Sequence, residues 1–164
     1  MIHNSIQTAV PSQEQNSRKK TLEDLNLMDT FLFDASTEKA EDAAKIARII
    51  IKRVTGHELK EFSIENQKQL HGIDINKRGI RMDLWVRESD GGIDGKPVIR
   101  LYDIEPNGYQ DNIPKRSRFY QATIDVKELP TKSRFEELPE LIMIWILSYD
   151  PFGDDRMIYT VKNT

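Results

Sequence analysis

The stretch GIRMDLWVRESDGGIDGKPVIRLYDIE, Gly79 to Glu105, decides how this chain folds. In Gly79–Glu88 the residues alternate: Ile80, Met82, Leu84 and Val86 take one face of a strand, and Arg81, Asp83, Trp85 and Arg87 take the other. A period of two signals a strand. Pro97–Glu105, rich in β-branched and aromatic residues, is the partner strand, and SDGGIDGK supplies the turn residues between them. Positions 83 and 105 have their midpoint at 94, inside that turn. A hairpin centred near Asp94 brings Asp83 and Glu105 side by side, with Cβ atoms roughly 5 Å apart. Two acids that close repel each other unless something positive sits between them, so the pair asks for a cation.

The composition narrows the function classes. The chain has 164 residues, about one domain's worth, with 38% apolar residues to build a core. Its net charge of −3 advertises no global affinity for nucleic acid or anionic membranes, so any such activity must come from a local patch. It has no cysteine, which excludes disulfides, thiolate zinc sites and cysteine nucleophiles. His3, His57 and His71 are scattered without metal-ligand spacing. The longest apolar run, in Leu141–Leu147, is too short to span a bilayer. The N-terminus carries no apolar signal core. A cytoplasmic protein with no membrane partner is the expectation.

Around the hairpin the elements fall into order. Residues 1–20, polar with a basic Arg18-Lys19-Lys20 cluster, read as a disordered tail. Thr21 opens a helix start anchored by Leu22, Leu25 and Leu27, and Met28–Phe33 adds bulky apolar residues for the core. The clearest helix is Thr37–Val54, with Ala40, Ala43, Ala44, Ala47, Ile50, Ile51 and Val54 at helical spacing and Gly56 as the stop. Glu38, Glu41 and Asp42 crowd its first turns, where carboxylates suit the helix dipole. A strand is predicted around Leu59–Glu65. After the hairpin, Ile113–Leu129 reads as a helix with Pro114 early and Phe119, Ala122, Val126 and Leu129 on one face. Leu141–Tyr149 reads as a strand covered on both faces, and Met157–Val161 as a last short strand. The order predicts an α/β fold, a mixed sheet core flanked by helices.

Asp83 lies inside an otherwise buried-looking strand and Glu105 ends another, places where a lone charge is costly without partners. Magnesium takes a few carboxylate oxygens and keeps waters, which such a pair can accommodate. Asp103 alternates onto the face of Glu105, either as an assisting ligand or as an acceptor behind it. Trp85 and Tyr102 are read as packing between layers, and Trp145 as core.

GIRMDLWV, YDIE, IPKRSRFYQATID and ELIMIWILSYDPFG, in that order and spacing, resemble the PD-(D/E)XK nuclease family transposases of the recombination-promoting nuclease type. The likeness runs from about Leu25 to Val161. It implies a restriction-endonuclease-like domain over 21–164 that cleaves DNA, with Mg2+ or Mn2+ held by the acids matching Asp83 and Glu105. It also implies an acid on the first core helix, for which Glu41 is the candidate beside Glu38 and Asp42. Two residues after the Glu the family carries Lys or Gln, whereas this chain has Asn107, a neutral amide that orients water but adds no charge. Gln110 is a substitute from the loop. DNA is the implied partner, with a homodimer a compatible assembly.

Lys115, Arg116 and Arg118 open the helix after the site, with Tyr120 and Gln121 beside them; they are candidate phosphate contacts. The plainer alternative is a solvated basic turn pairing with Asp111 or Glu105. Three readings follow: a metal-dependent endonuclease linked to DNA mobility, a weak or inactive relative that binds nucleic acid or a protein partner, and an interaction domain whose acids pair with Arg81 or Arg116.

Overall fold

The computed structural model describes residues 21, 23, 26, 28–72, 74, 76–91 and 97–162. The tail read over 1–20, the anchors Leu22, Leu25 and Leu27, and the turn over 92–96 lie outside them. Helices α1 (Thr30–Thr37) and α2 (Ala40–Thr55) come first, then strands β1 (Phe62–Leu70), β2 (Ile80–Gly91) and β3 (Pro97–Asn107). Helix α3 (Ile113–Glu128), a 3-10 turn (Phe135–Glu137) and strand β4 (Glu140–Leu147) complete the order. The region read as one helix from Thr37 is therefore two: Thr37 closes α1, and α2 starts at Ala40. The Asp29 side chain caps α1 from outside by accepting the Phe31 N–H at 3.3 Å. Gly56, at φ 77°, ends α2 in the left-handed region where a side chain would be strained.

The four strands lie in the order β1-β2-β3-β4, with antiparallel pairs β1–β2 and β2–β3 and a parallel β3–β4 pair. A parallel neighbour needs a crossover, and α3 makes it. On one face Phe33, Ala43, Ala47 and Ile51 of the first two helices pack on Leu84, Val86, Tyr102, Ile104 and Ile144. On the other, Tyr120 and Ile124 of α3 pack on Ile80, Met82, Trp85 and Leu101. Full burial of each large side chain contributes about 1.5–3 kcal/mol, so both layers are held firmly. The inward face of α3 is not the expected one: Phe119 and Val126 are exposed, and Ile113, Tyr120 and Ile124 face the sheet.

Strand β2 departs from simple alternation. Leu84 and Val86 belong to the core under α1 and α2, whereas Ile80 and Met82 belong to the core under α3 with Trp85. The faces are exchanged at Asp83. The β1–β2 ladder runs through Asn66↔Leu84 and resumes at Lys68↔Met82 in the same register, and between them Gln67 adopts φ 49°. A non-glycine residue in that conformation rotates the strand about its axis. Accordingly the Asn66 side chain donates to the Thr37 carbonyl on the α1 side, while Lys68 stacks over Trp85 on the α3 side.

Strand β4 is at the sheet edge, and its side chains split between the two cores, Ile142, Ile144 and Ile146 to one and Leu141, Met143 and Trp145 to the other. Residues 157–161 form no strand, and Met157 is fully exposed. Asp150 instead gathers this segment, accepting the N–H groups of Phe152, Gly153 and Asp155 and the Tyr159 hydroxyl. Among the described residues no helix is long and apolar enough to cross a membrane.

Candidate active site

Strand register fixes the site. The β2–β3 ladder runs from Gly91↔Pro97 to Leu84↔Ile104, which is the hairpin centred on position 94. One step further, Glu105 folds its carboxylate back onto β2, where Oε1 accepts the backbone N–H of Asp83 at 3.0 Å. Asp83, Asp103 and Glu105 are all buried, with 8%, 0% and 1% exposure, so the least enclosed of the three is the one at the face exchange.

Burial with little donor support sets their electrostatics. Burial pushes Asp83 above the ordinary carboxylate range, Asp34 on α1 adds to the push, and Arg81 and Arg116 oppose it. Burial, then the Asp83 charge, lifts Glu105 to about 7, against the Asp83 N–H and Arg116. Asp103 is driven well above its usual range by burial, then by Glu105 and Asp83. Neither Asp103 oxygen has a hydrogen-bond partner among groups that are donors outright. The bond open to it is one shared with Glu105, and that bond needs a proton on one of the two acids. Burial therefore favours a proton on the Asp103–Glu105 pair, which a bound cation would displace.

Among the described residues, Arg116 is the guanidinium that hydrogen-bonds to this cluster. Its Nη2 donates to Glu105 Oε2 at 2.9 Å and to the Tyr120 hydroxyl at 3.0 Å, and its Nη1 reaches Asp111 at 3.3 Å. The guanidinium lies 4.8 Å from the Trp145 ring centroid and 5.2 Å from that of Tyr120. Trp145, expected as plain core, thus also seats a charged group. The pairing of Arg116 with Asp111 and Glu105 is the plainer alternative foreseen for the basic turn. It applies to Arg116 alone, since Lys115 and Arg118 are exposed and make no ion pair among the described residues. Gln121 is half-buried on α3.

Asn107 is 2% exposed; its Oδ1 accepts the Tyr109 N–H at 3.2 Å, and its Nδ2 has no partner. Gln110 is exposed in the following loop. Glu41 is exposed in the first turn of α2, and Asp42 beside it pairs with Lys45 at 3.1 Å. The helical acid felt by Asp83 is Asp34, whose Oδ1 is buried without a partner. Sequence reasoning misses Asp34, whose one signal there is its place directly after the apolar run ending at Phe33.

An open cleft of about 440 Å3 reaches Asp83, lined among others by His71, Arg78, Arg81, Arg116 and Tyr120. Lys115 and Arg118 do not line it. As they stand, no three His, Asp or Glu side chains among the described residues are gathered to enclose a metal ion. The donor chemistry nevertheless fits a hard cation: buried carboxylates without enough donors, with Asp83 among the residues lining an open cleft. No family model, curated protein or solved structure matches this chain.

Proposed function

We propose that this chain is a divalent-metal-dependent DNA endonuclease with a restriction-endonuclease-like core, acting in DNA mobility or recombination. The observation that carries the reading is the Glu105 carboxylate held against the amide of Asp83 on an adjoining strand, Asp83 itself lining an open cleft. Asp83 and Glu105 would hold Mg2+ or Mn2+, with Asp34 as the third acid in place of Glu41. The metal, when bound, supplies an acidified water, a polarised phosphodiester and a stabilised leaving oxygen. The rest falls to the protein. Glu105 gives up its proton near neutral pH, Arg116 holds its second oxygen in place, and the donor end of Asn107 orients a water.

The test is nicking of supercoiled plasmid with Mn2+, together with the rise in melting temperature that a bound metal produces. Asp83→Asn is expected to abolish both. Nicking that survives this substitution, or a melting temperature indifferent to metal in the wild type, sinks the proposal.

A second reading is favoured by Asn107, which places no positive charge beside Glu105. A nuclease fold of weak or absent turnover would then bind nucleic acid or a protein partner. Asn107→Lys separates the two: nicking by the wild type supports the first reading, and nicking by the lysine variant alone supports the second.

A further inference from the structure

The segment joining β1 to β2, HGIDINKRG over 71–79, is closed at its base by two glycines. A Cβ on Gly72 would overlap the Lys77 carbonyl oxygen, and one on Gly79 would overlap that of Leu70. The two backbone runs therefore touch in a way that only glycine permits. Beyond this neck, the Asp74 side chain accepts the Asn76 N–H at 2.7 Å, and the Asp74 carbonyl accepts the Lys77 N–H at 3.0 Å. The connection is thus a shaped arm held beside the cleft.

The arm and the start of β2 carry cations that no carboxylate holds in an ion pair among the described residues, although Arg81 favours the charged form of Asp83. Lys77, Arg78 and Arg81 are all exposed, and among the described residues none makes an ion pair. By contrast Arg87, Arg100 and Arg116 each pair with a glutamate. Arg78 and Arg81 line the cleft together with His71 and Asp83. Cations that line one cleft repel each other, and an anion there would relieve that repulsion. Because the cleft is open and neither guanidinium makes an ion pair among the described residues, it suits a chain of phosphates recognised by charge more than an enclosed small anion.

We infer that Arg78 and Arg81, at the base of the β1–β2 arm, grip the phosphodiester backbone of a DNA strand and lead it across the cleft to Asp83. This rests on the nuclease reading and extends it, moving the backbone contact from the outer turn of α3 to the arm. Arg116 is already engaged by Glu105, and Lys115 and Arg118 lie outside the cleft lining.

The experiment measures binding of a fluorescein-labelled mixed-sequence DNA duplex by anisotropy, in EDTA so that cleavage is silent, across a salt series. Arg78→Ala/Arg81→Ala is expected to reduce the slope of log K against log salt by about 1.8, at roughly 0.9 for each phosphate no longer neutralised. Raising salt from about 50 to about 200 mM should then weaken the wild type roughly twelvefold more than the variant. Arg53→Ala/Lys127→Ala, which removes the same charge elsewhere, should leave the slope unchanged, and circular dichroism checks that each variant is folded. The inference is overturned if the arm variant keeps the wild-type slope, if Lys115→Ala/Arg118→Ala carries the loss instead, or if the wild type does not bind the duplex. Parallel nicking with Mn2+ keeps the two ideas apart. A wild type that nicks while the arm variant binds normally defeats the arm alone. A wild type that never nicks, but whose binding depends on the arm, defeats the nuclease alone.

Discussion

Without metal, this fold should lose stability as pH rises through neutrality, because burial strengthens the hold of the Glu105 carboxyl on its proton. Glu105 has an ordinary value of 4.5 and titrates at about 7 in the folded chain. Between those values the folded protein keeps a proton that the unfolded chain has released. Its contribution is therefore fully present below 4.5 and is lost as pH rises through about 7. At about 1.4 kcal/mol per pH unit, the interval corresponds to roughly 3 kcal/mol. Asp83 and Asp103, also raised, act with the same sign. The assay is urea denaturation in EDTA at about pH 5 and about pH 8, for the wild type and Glu105→Gln. The wild type should be less stable at the higher pH by roughly 3 kcal/mol or more, and the glutamine variant should show a smaller loss. Mn2+ at about a hundred times its Kd should return roughly 3 kcal/mol to the wild type at the higher pH. A wild-type stability that stays level or climbs over this range would falsify the account of a proton-holding acid cluster.

Three further outcomes follow from particular contacts. Arg116→Ala removes a charge that holds Glu105 down, so Mn2+ affinity by calorimetry should fall at pH near 7 and recover at pH near 8.5; equal losses at both would mean Arg116 acts only as packing. Glu88→Ala strips a fully buried acid from His57 at 2.8 Å, the Lys60 N–H at 2.9 Å and the Tyr102 hydroxyl at 3.3 Å, and should cost roughly 2–4 kcal/mol in urea. Its metal-induced rise in melting temperature should survive, and a cost below about 1 kcal/mol would show that the network is not structural. Gly79→Ala drives a methyl against the Leu70 carbonyl and should lower stability by about 1–3 kcal/mol by the same denaturation assay; an unchanged midpoint would show that the neck can open.

The hairpin register is readable because a strand pair has a single parameter, and the residues SDGGIDGK set it at position 94. Helix α3 is readable too: Pro114 marks its start, which the structure shows capped by Asn112. Its buried face is not. Apolar residues surround α3 on several sides, and the choice of Tyr120 and Ile124 over Phe119 and Val126 is made by what the sheet offers opposite. The strand expected over Met157–Val161 does not form: Met157, Ile158 and Val161 are exposed with no core to cover, and Tyr159 instead donates its hydroxyl to Asp150, an outcome that β-propensity does not weigh. In the site, Asp83 and Glu105 are reachable from alternation and the turn. Asp34 and Arg78 are not, since their relevance exists only once α1 and the β1–β2 connection have docked against β2.

The crease at Gln67 and Asp83 has an evolutionary and engineering consequence. A sheet sandwiched by helices hides every central side chain from solvent, whichever way it points. Turning the strand over at one step creates a side chain that belongs fully to neither layer, and so can look outward from the middle of the sheet. Straightening β1 there, for example by replacing the strand around Gln67 with a regular β-branched run, would send Ile80 and Met82 to the wrong layer and close that window in the same stroke.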